Sequence, residues 1–190
     1  LIYTRVSDNT AGCYGIFGID LLVVDPPPNN LCENASALFC GQSISGLDTS
    51  FATNTNAPDA CGTALDTAPG VWHTLTIPTD GDYNVSVDTF GSEFDTKLGV
   101  FSGSCDDLVC VDGNDDTGGL QSEVSFVGSA SETYTIYVTG FGANTGVYNL
   151  NVACELIPPP PVVELPITFE NDQTPIFGDF NGSATQIIPN

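Results

Sequence analysis

Residues 105–123 hold the densest set of oxygen ligands in the chain: Asp106, Asp107, Asp112, Asn114, Asp115, Asp116 and Glu123. Asp112, Asn114 and Asp116 alternate, and Glu123 lies eleven positions after Asp112. A hard cation such as calcium takes several carboxylate and carbonyl oxygens from one turn, and this spacing echoes a calcium-binding loop. The position such a loop reserves for glycine holds Thr117, with Gly118 one place late, and the flanks pattern as strands. An EF-hand is therefore excluded. The expected alternative is a looser calcium site of Asp112, Asn114 and Asp116 with Asp95 from the Phe94-Asp95-Thr96 segment. Against it stands a plainer reading in which Asp95 and Asp116 cap turns by accepting backbone N–H groups.

The other reactive side chains are few. His73, beside Trp72, is the only histidine. A catalytic histidine needs a nucleophile and an orienting third group, and neither is marked out here, so a packing or surface role is expected. Twenty-four acids offer many carboxylate pairs, and no spacing singles one out for glycoside hydrolysis. No enzyme is expected. Seven cysteines, at 13, 32, 40, 61, 105, 110 and 154, include no C-x-x-C pair, which disfavours zinc and favours disulfides in an oxidising, extracellular setting. Cys105 with Cys110 and Cys32 with Cys40 would close short loops, leaving Cys61 for Cys154. That pairing is one of about 15 open to six cysteines. Cys13 is left over, either as a free thiol or paired with a cysteine upstream of Leu1.

The elements that must position these groups read as strands. Val71-Trp72-His73-Thr74-Leu75-Thr76-Ile77 stops at Pro78-Thr79-Asp80-Gly81, and Tyr83, Val85 and Val87 alternate with polar residues. Leu98 and Val100, Val109 and Val111, and Val124 and Phe126 continue the period of two. Tyr134-Thr135-Ile136-Tyr137-Val138 is the strongest β run, and Tyr148, Leu150 and Val152 close the block. Gln42 to Leu47 reads as an edge strand and Glu33 to Phe39 as one helical turn. The fold class expected is all-β: an antiparallel β-sandwich or jelly roll of seven or eight short strands, flanked by partial β modules.

Proline tracts at residues 26–28 and 158–161 set the boundaries, because consecutive prolines are extended and cannot donate to a sheet. Residues 1–24 are expected to be a hairpin, 25–30 a linker, 31–154 the sandwich, 155–165 a second linker and 166–190 the start of a further β domain. The 190 residues carry a formal charge of −22 with only Lys97 and Arg5 as cations. Such a surface cannot neutralise phosphates, so neither nucleic acid nor anionic lipid is an expected partner. No apolar run approaches the ~20 residues of a membrane span. A first residue other than Met, with no leader ahead of it, suggests a mature product or a piece of something longer. The acidity has two readings: a solvated surface that resists aggregation, or a means for cations to bridge modules.

The middle block resembles the bacterial pre-peptidase C-terminal β-sandwich, in the version repeated in large surface proteins of Bacteroidota. The resemblance rests on Asn29-Asn30-Leu31-Cys32-Glu33-Asn34-Ala35, Cys40-Gly41-Gln42-Ser43-Ile44-Ser45-Gly46 and Ala68-Pro69-Gly70-Val71-Trp72. It continues in Phe94-Asp95-Thr96-Lys97-Leu98, Gly103-Ser104-Cys105, Gly113-Asn114-Asp115-Asp116 and Gly140-Phe141. Two features depart from the pattern: His73 stands where an aromatic is more usual, and a cysteine often seen near Asp88-Thr89-Phe90 is absent. Residues 3–14 resemble the end of an immunoglobulin-like repeat, and Leu165-Pro166-Ile167-Thr168-Phe169-Glu170 resembles the start of a jelly-roll module.

These resemblances imply a non-catalytic spacer or adhesive module in a secreted or cell-surface multidomain protein of gliding or adhesion type, exported by type IX secretion. Its partners would be neighbouring modules, further copies in a filament, and surface glycans or other cells. An accessory domain of a secreted hydrolase and a carbohydrate-binding module are the alternatives, the latter requiring exposed aromatics such as Tyr137 or Phe141. Asp66-Thr67-Ala68 matches the O-glycan acceptor pattern that the resemblance makes relevant, with Thr67 as the acceptor.

Overall fold

The computed structural model describes residues 2–7, 14–19 and 24–161. Strands β1 (Ile2–Ser7) and β2 (Tyr14–Ile19) form an antiparallel hairpin, as the turn formers between them suggest. Cys13 and the further β domain expected at 166–190 lie outside the described residues.

The sandwich is built from β3 (Ser36–Leu38), β4 (Ser43–Asp48), β5 (Ala60–Cys61), β6 (Thr63–Ala64), β7 (Val71–Thr76) and β8 (Tyr83–Asp88). It continues through β9 (Thr96–Ser104), β10 (Asp107–Asn114), β11 (Glu123–Gly128), β12 (Thr133–Gly140) and β13 (Val147–Leu156). One sheet has the order β10-β9-β12-β7-β3 and the other β11-β8-β13-β4, while β5 and β6 make a minimal hairpin of their own. Every pairing in the two sheets is antiparallel except β3 with β7, which is parallel. The expected β-sandwich is present, and β4 is an edge strand as read. The short β3, β5 and β6 were not expected, and of these only β3 joins a main sheet. That strand is three residues long, and in place of the helical turn read at 33–39 the chain makes a 3-10 turn at Cys32–Asn34 before entering it.

The period of two explains the main core. Val71, Leu75, Ile77, Val85, Val87, Leu98, Val100, Val124, Ile136, Val138, Leu150 and Val152 are buried in one cluster between the sheets. A second cluster covers the opposite face of the five-stranded sheet: Cys32, Cys61, Leu65, Trp72, Phe101 and Tyr137. Residues 49–70 cross that face as a strap. This is why β12 is buried at seven consecutive positions, from Tyr134 to Gly140, where a one-sided strand would alternate. The strap lies close. A Cβ on Gly99 would meet the Leu65 side chain, and one on Gly113 would meet the Cys61 carbonyl. Asn30 fixes the strap's start, its Nδ2 donating to Thr53 Oγ1 at 2.9 Å and its Oδ1 accepting from Thr53 N at 2.6 Å.

Two boundaries move. Asn29 and Asn30 are buried, so folded structure begins inside the first expected linker. β13 runs to Leu156, and Ile157 N donates to Asp82 O at 2.8 Å, so the second linker begins at Pro158 rather than at 155. Trp72 N, at the start of β7, donates to Asn29 O at 2.8 Å. Leu156 pairs with Tyr83 at the start of β8, beyond the far end of β7. The chain thus enters the sandwich at one end and leaves it at the other.

Candidate cation site, disulfides and a buried histidine

Three carboxylates converge at the end of the sandwich where the chain enters. Asp95 stands immediately before β9, and Asp115 and Asp116 come directly after β10. One oxygen from each lies within 4.8 Å of the others. The β9–β10 pairing brings the two segments together, with Asn114 opposite Leu98. Ser122 Oγ ties them, lying within hydrogen-bond distance of both Thr96 O and Asp115 O, to which its one proton can be donated in turn. Asp95 and Asp116 thus lie together, and Asp115 joins them.

Asp112 and Asn114 are not in the cluster. Asp112 Oδ1 accepts from Gly113 N at 2.8 Å. Asn114 Oδ1 accepts from Thr117 Oγ1 at 2.9 Å and Glu123 N at 3.2 Å, while its Nδ2 donates to Asp116 O at 3.3 Å. Both are spent on shaping their own loop. Turn capping therefore describes these two residues, and the alternate spacing misled because the loop leaves the strand after Asn114.

A cation already faces the carboxylates. Lys97, in β9, is 4% exposed, and its Nζ lies 3.5 Å from Asp115 Oδ2. It also donates to Ala64 O at 3.0 Å and sits 4.9 Å from the centre of the Phe141 ring. Burial holds the Asp95 carboxyl above its usual range, the charges of Asp116 and Asp115 add to this, and Lys97 opposes it. Asp95 Oδ1 and Asp115 Oδ1 are buried without hydrogen-bond partners among the described residues. Removing the ammonium leaves Asp115 facing other carboxylates. Lys97→Met is expected to cost about 2 kcal/mol, below the full penalty for breaking a buried pair because the Asp115 side chain is 29% exposed. Denaturant titration measures this, and adding Asp115→Asn should restore part of the loss.

The cysteines pair across the fold. Cys32 bonds Cys105, Cys40 bonds Cys154 and Cys61 bonds Cys110, with sequence separations of 73, 114 and 49. All six expected cysteines are used, but none of the three expected pairings occurs. The layers explain this. Cys105 sits at the β9–β10 turn and Cys110 within β10. The strap and the 3-10 turn bring Cys61 and Cys32 over the outer face of that sheet, while Cys40 and Cys154 meet beside the other sheet, where Gly41 N donates to Val152 O at 3.0 Å. Three disulfides in one small domain fit an oxidising extracellular or envelope environment.

His73 is 1% exposed. Its Nε2 shares a hydrogen bond of 2.8 Å with the Tyr148 hydroxyl, and Asn29 Nδ2 lies 3.5 Å away while donating to Trp72 O at 2.9 Å. Burial pushes its pKa down to about 4, with a small opposing contribution from the Ser36 backbone, and burial pushes the Tyr148 hydroxyl up. It is a packing residue that couples the two sheets. Tyr137, offered as a surface aromatic, is 1% exposed with its ring 4.5 Å from that of Trp72. Phe141 is 52% exposed. Thr67 is exposed on a turn between the buried Leu65 and Ala68.

Two surface hollows carry little ionisable chemistry. One of about 440 Å³, on the outer face of the four-stranded sheet, is lined by Asn84, Ser86, Val127, Ala153 and Glu155 among others. Another, of about 580 Å³ beside the strap, has Asp59 and Asp106 as its acids.

Fold and site together define a disulfide-stapled, all-β sandwich with an acidic surface. No family model matches the chain, and no curated protein matches it. Among solved structures it is similar to the pre-peptidase C-terminal domain of a collagenase from Bacillus anthracis. That similarity has 16% identity over 62% of this chain and 93% of that one, with a TM-score of 0.40. It is also similar to PliG of Aeromonas hydrophila, a periplasmic inhibitor of g-type lysozyme, at 14% identity over 64% and 99% of the chains and a TM-score of 0.36. Both scores are low, so the fold assignment rests on the sheets themselves.

Proposed function

We propose that this chain is a non-catalytic spacer module of a secreted or cell-surface multidomain protein of the gliding or adhesion type. The observation that carries the reading is directional: the chain enters beside the start of β7 and leaves beyond the end of β13, at opposite ends of the sandwich. A module attached in this way holds its upstream and downstream neighbours apart. Prolines at 26–28 and 158–161 favour extended backbone next to both attachment points. The disulfides and the packing role of His73 also support a structural function. Neighbouring modules, further copies of the chain, glycans or other cells are its proposed contacts. Antibodies against the folded chain are expected to label intact producing cells or their extracellular material, and protein found only in the cytosol with reduced thiols would refute the assignment.

Calcium at Asp95, Asp115 and Asp116 is part of the same proposal. It is supported by the two buried carboxylate oxygens that lack partners among the described residues, and it would share the cluster with Lys97. Calcium at about 1 mM, the range of extracellular calcium modules, is expected to raise the melting temperature by a few degrees. Asp95→Asn should abolish the rise. An unchanged melting curve would leave Lys97 as the cation that balances the cluster.

A further inference from the structure

We propose a second, mechanical function for the Cys40–Cys154 disulfide: it carries tension past the sandwich, so that a pull on the flanking linkers cannot draw out residues 41–153. Covalent connectivity alone requires this, whatever the neighbouring modules are. Tension from the N-terminal side reaches the sandwich at Asn29 and passes Cys32. From Cys32 the chain runs eight residues, through β3, to Cys40. There the disulfide crosses directly to Cys154, two residues before the end of β13 and four before Pro158. Nothing on that route passes through β4 to β12. The main core and the strap hang on a loop whose ends are joined, and no force short of breaking a covalent bond can lengthen that loop between the two linkers.

β3 is therefore the strand through which the load runs between the two linkers. It lies parallel to β7, with Ser36 opposite His73 and Leu38 opposite Leu75, along the line of pull. The three-residue strand that adds least to the sheets is the one placed in series with both linkers.

The bonding pattern sets three lengths. Taking about 3.6 Å per extended residue, the fully stretched span from Cys32 to Cys154 is roughly 35 Å with all bonds intact. Without the Cys40–Cys154 bond, the shortest route crosses Cys32–Cys105 and then runs along the chain to Cys154, a span of roughly 180 Å. With every disulfide reduced it runs along the chain throughout, roughly 440 Å.

Single-molecule force extension of the full 190-residue chain, held by handles at its two ends, reads these lengths directly. The flanks outside Cys32 and Cys154, the β1–β2 hairpin included, extend alike in every form; beyond them the oxidised protein is expected to add no more than the short span, and the reduced protein the longest. The Cys40→Ser/Cys154→Ser double variant should stop at the intermediate span. The Cys32→Ser/Cys105→Ser double variant should behave as the oxidised wild type, because its missing bond is not on the shortest route. The comparison of oxidised with reduced wild type needs no variant to fold. A long step in the oxidised protein, or equal steps before and after reduction, would overturn the proposal.

Discussion

Replacing Cys40 and Cys154 together by alanine should lower the unfolding free energy by about 5 kcal/mol, the largest single effect expected in this molecule. The bond spans a separation of 114 residues, and the entropy that a cross-link removes from the unfolded chain grows with the logarithm of that loop. The same relation gives about 4 kcal/mol for Cys61–Cys110, whose separation is 49. Small domains have a total stability of about 5–15 kcal/mol, so losing either bond removes a large share. The two losses should also differ in kind. Without Cys61–Cys110 the strap loses its tie to β10, exposing Leu65 and the Trp72–Tyr137 stack while the main core stays closed. Without Cys40–Cys154 the edge strand β4 and the end of β13 separate first. Denaturant midpoints for the two double variants, read beside Trp72 fluorescence, test both the order and the location. Equal midpoints to wild type would show that the cross-links do not constrain the unfolded chain as this connectivity requires.

Acidification from pH 7 to pH 4 should cost the protein about 3 kcal/mol through His73 alone. An unfolded histidine titrates near 6.5, whereas burial holds this one at about 4. Between those values the unfolded chain binds a proton that the folded chain does not, so stability falls as the pH drops through that window. Below pH 4 both states are protonated and the contribution levels off. His73→Gln keeps a polar group able to reach the Tyr148 hydroxyl but cannot titrate. Carboxylates contribute equally to the two proteins, so the difference in their pH dependence isolates the histidine. If both proteins lose stability in parallel between pH 6.5 and pH 4, then His73 accepts a proton in the folded state, and its environment is more open than the 1% exposure implies.

Much of this architecture was legible in the residues. Valines and leucines at every second position identified the strands facing the main core, and the prolines placed its limits to within a few residues. The second cluster was harder to see. Its trace is the unbroken run Tyr134-Thr135-Ile136-Tyr137-Val138, which a sheet with one wet face would not need, but nothing in that run says which segment supplies the cover. The disulfides failed for the same reason. Nearness along the chain favoured Cys105 with Cys110, whereas the strap and the 3-10 turn bring Cys61 and Cys32 over that hairpin. In the acidic loop the period of two was carried one residue too far. The backbone turns after Asn114, so Asp115 replaces Asp112 beside Asp95 and Asp116. The better signal was chemical: Lys97 is one of two cations in the chain, and a lone cation among so many acids marks where they gather.

The crossing of the three bonds bears on how the protein matures. Cys32–Cys105 interleaves with both Cys40–Cys154 and Cys61–Cys110, so no native pair is adjacent in the order in which thiols leave a ribosome or an export pore. Cys40 appears while Cys32 is its nearest companion and must wait for Cys154, the last of the six. Early oxidation would trap neighbours with each other, and escape from that trap requires thiolate attack on the wrong bond. A producing organism therefore either delays oxidation until the whole sandwich has emerged or supplies an isomerase outside the cytosol, and a laboratory host without one should accumulate scrambled material.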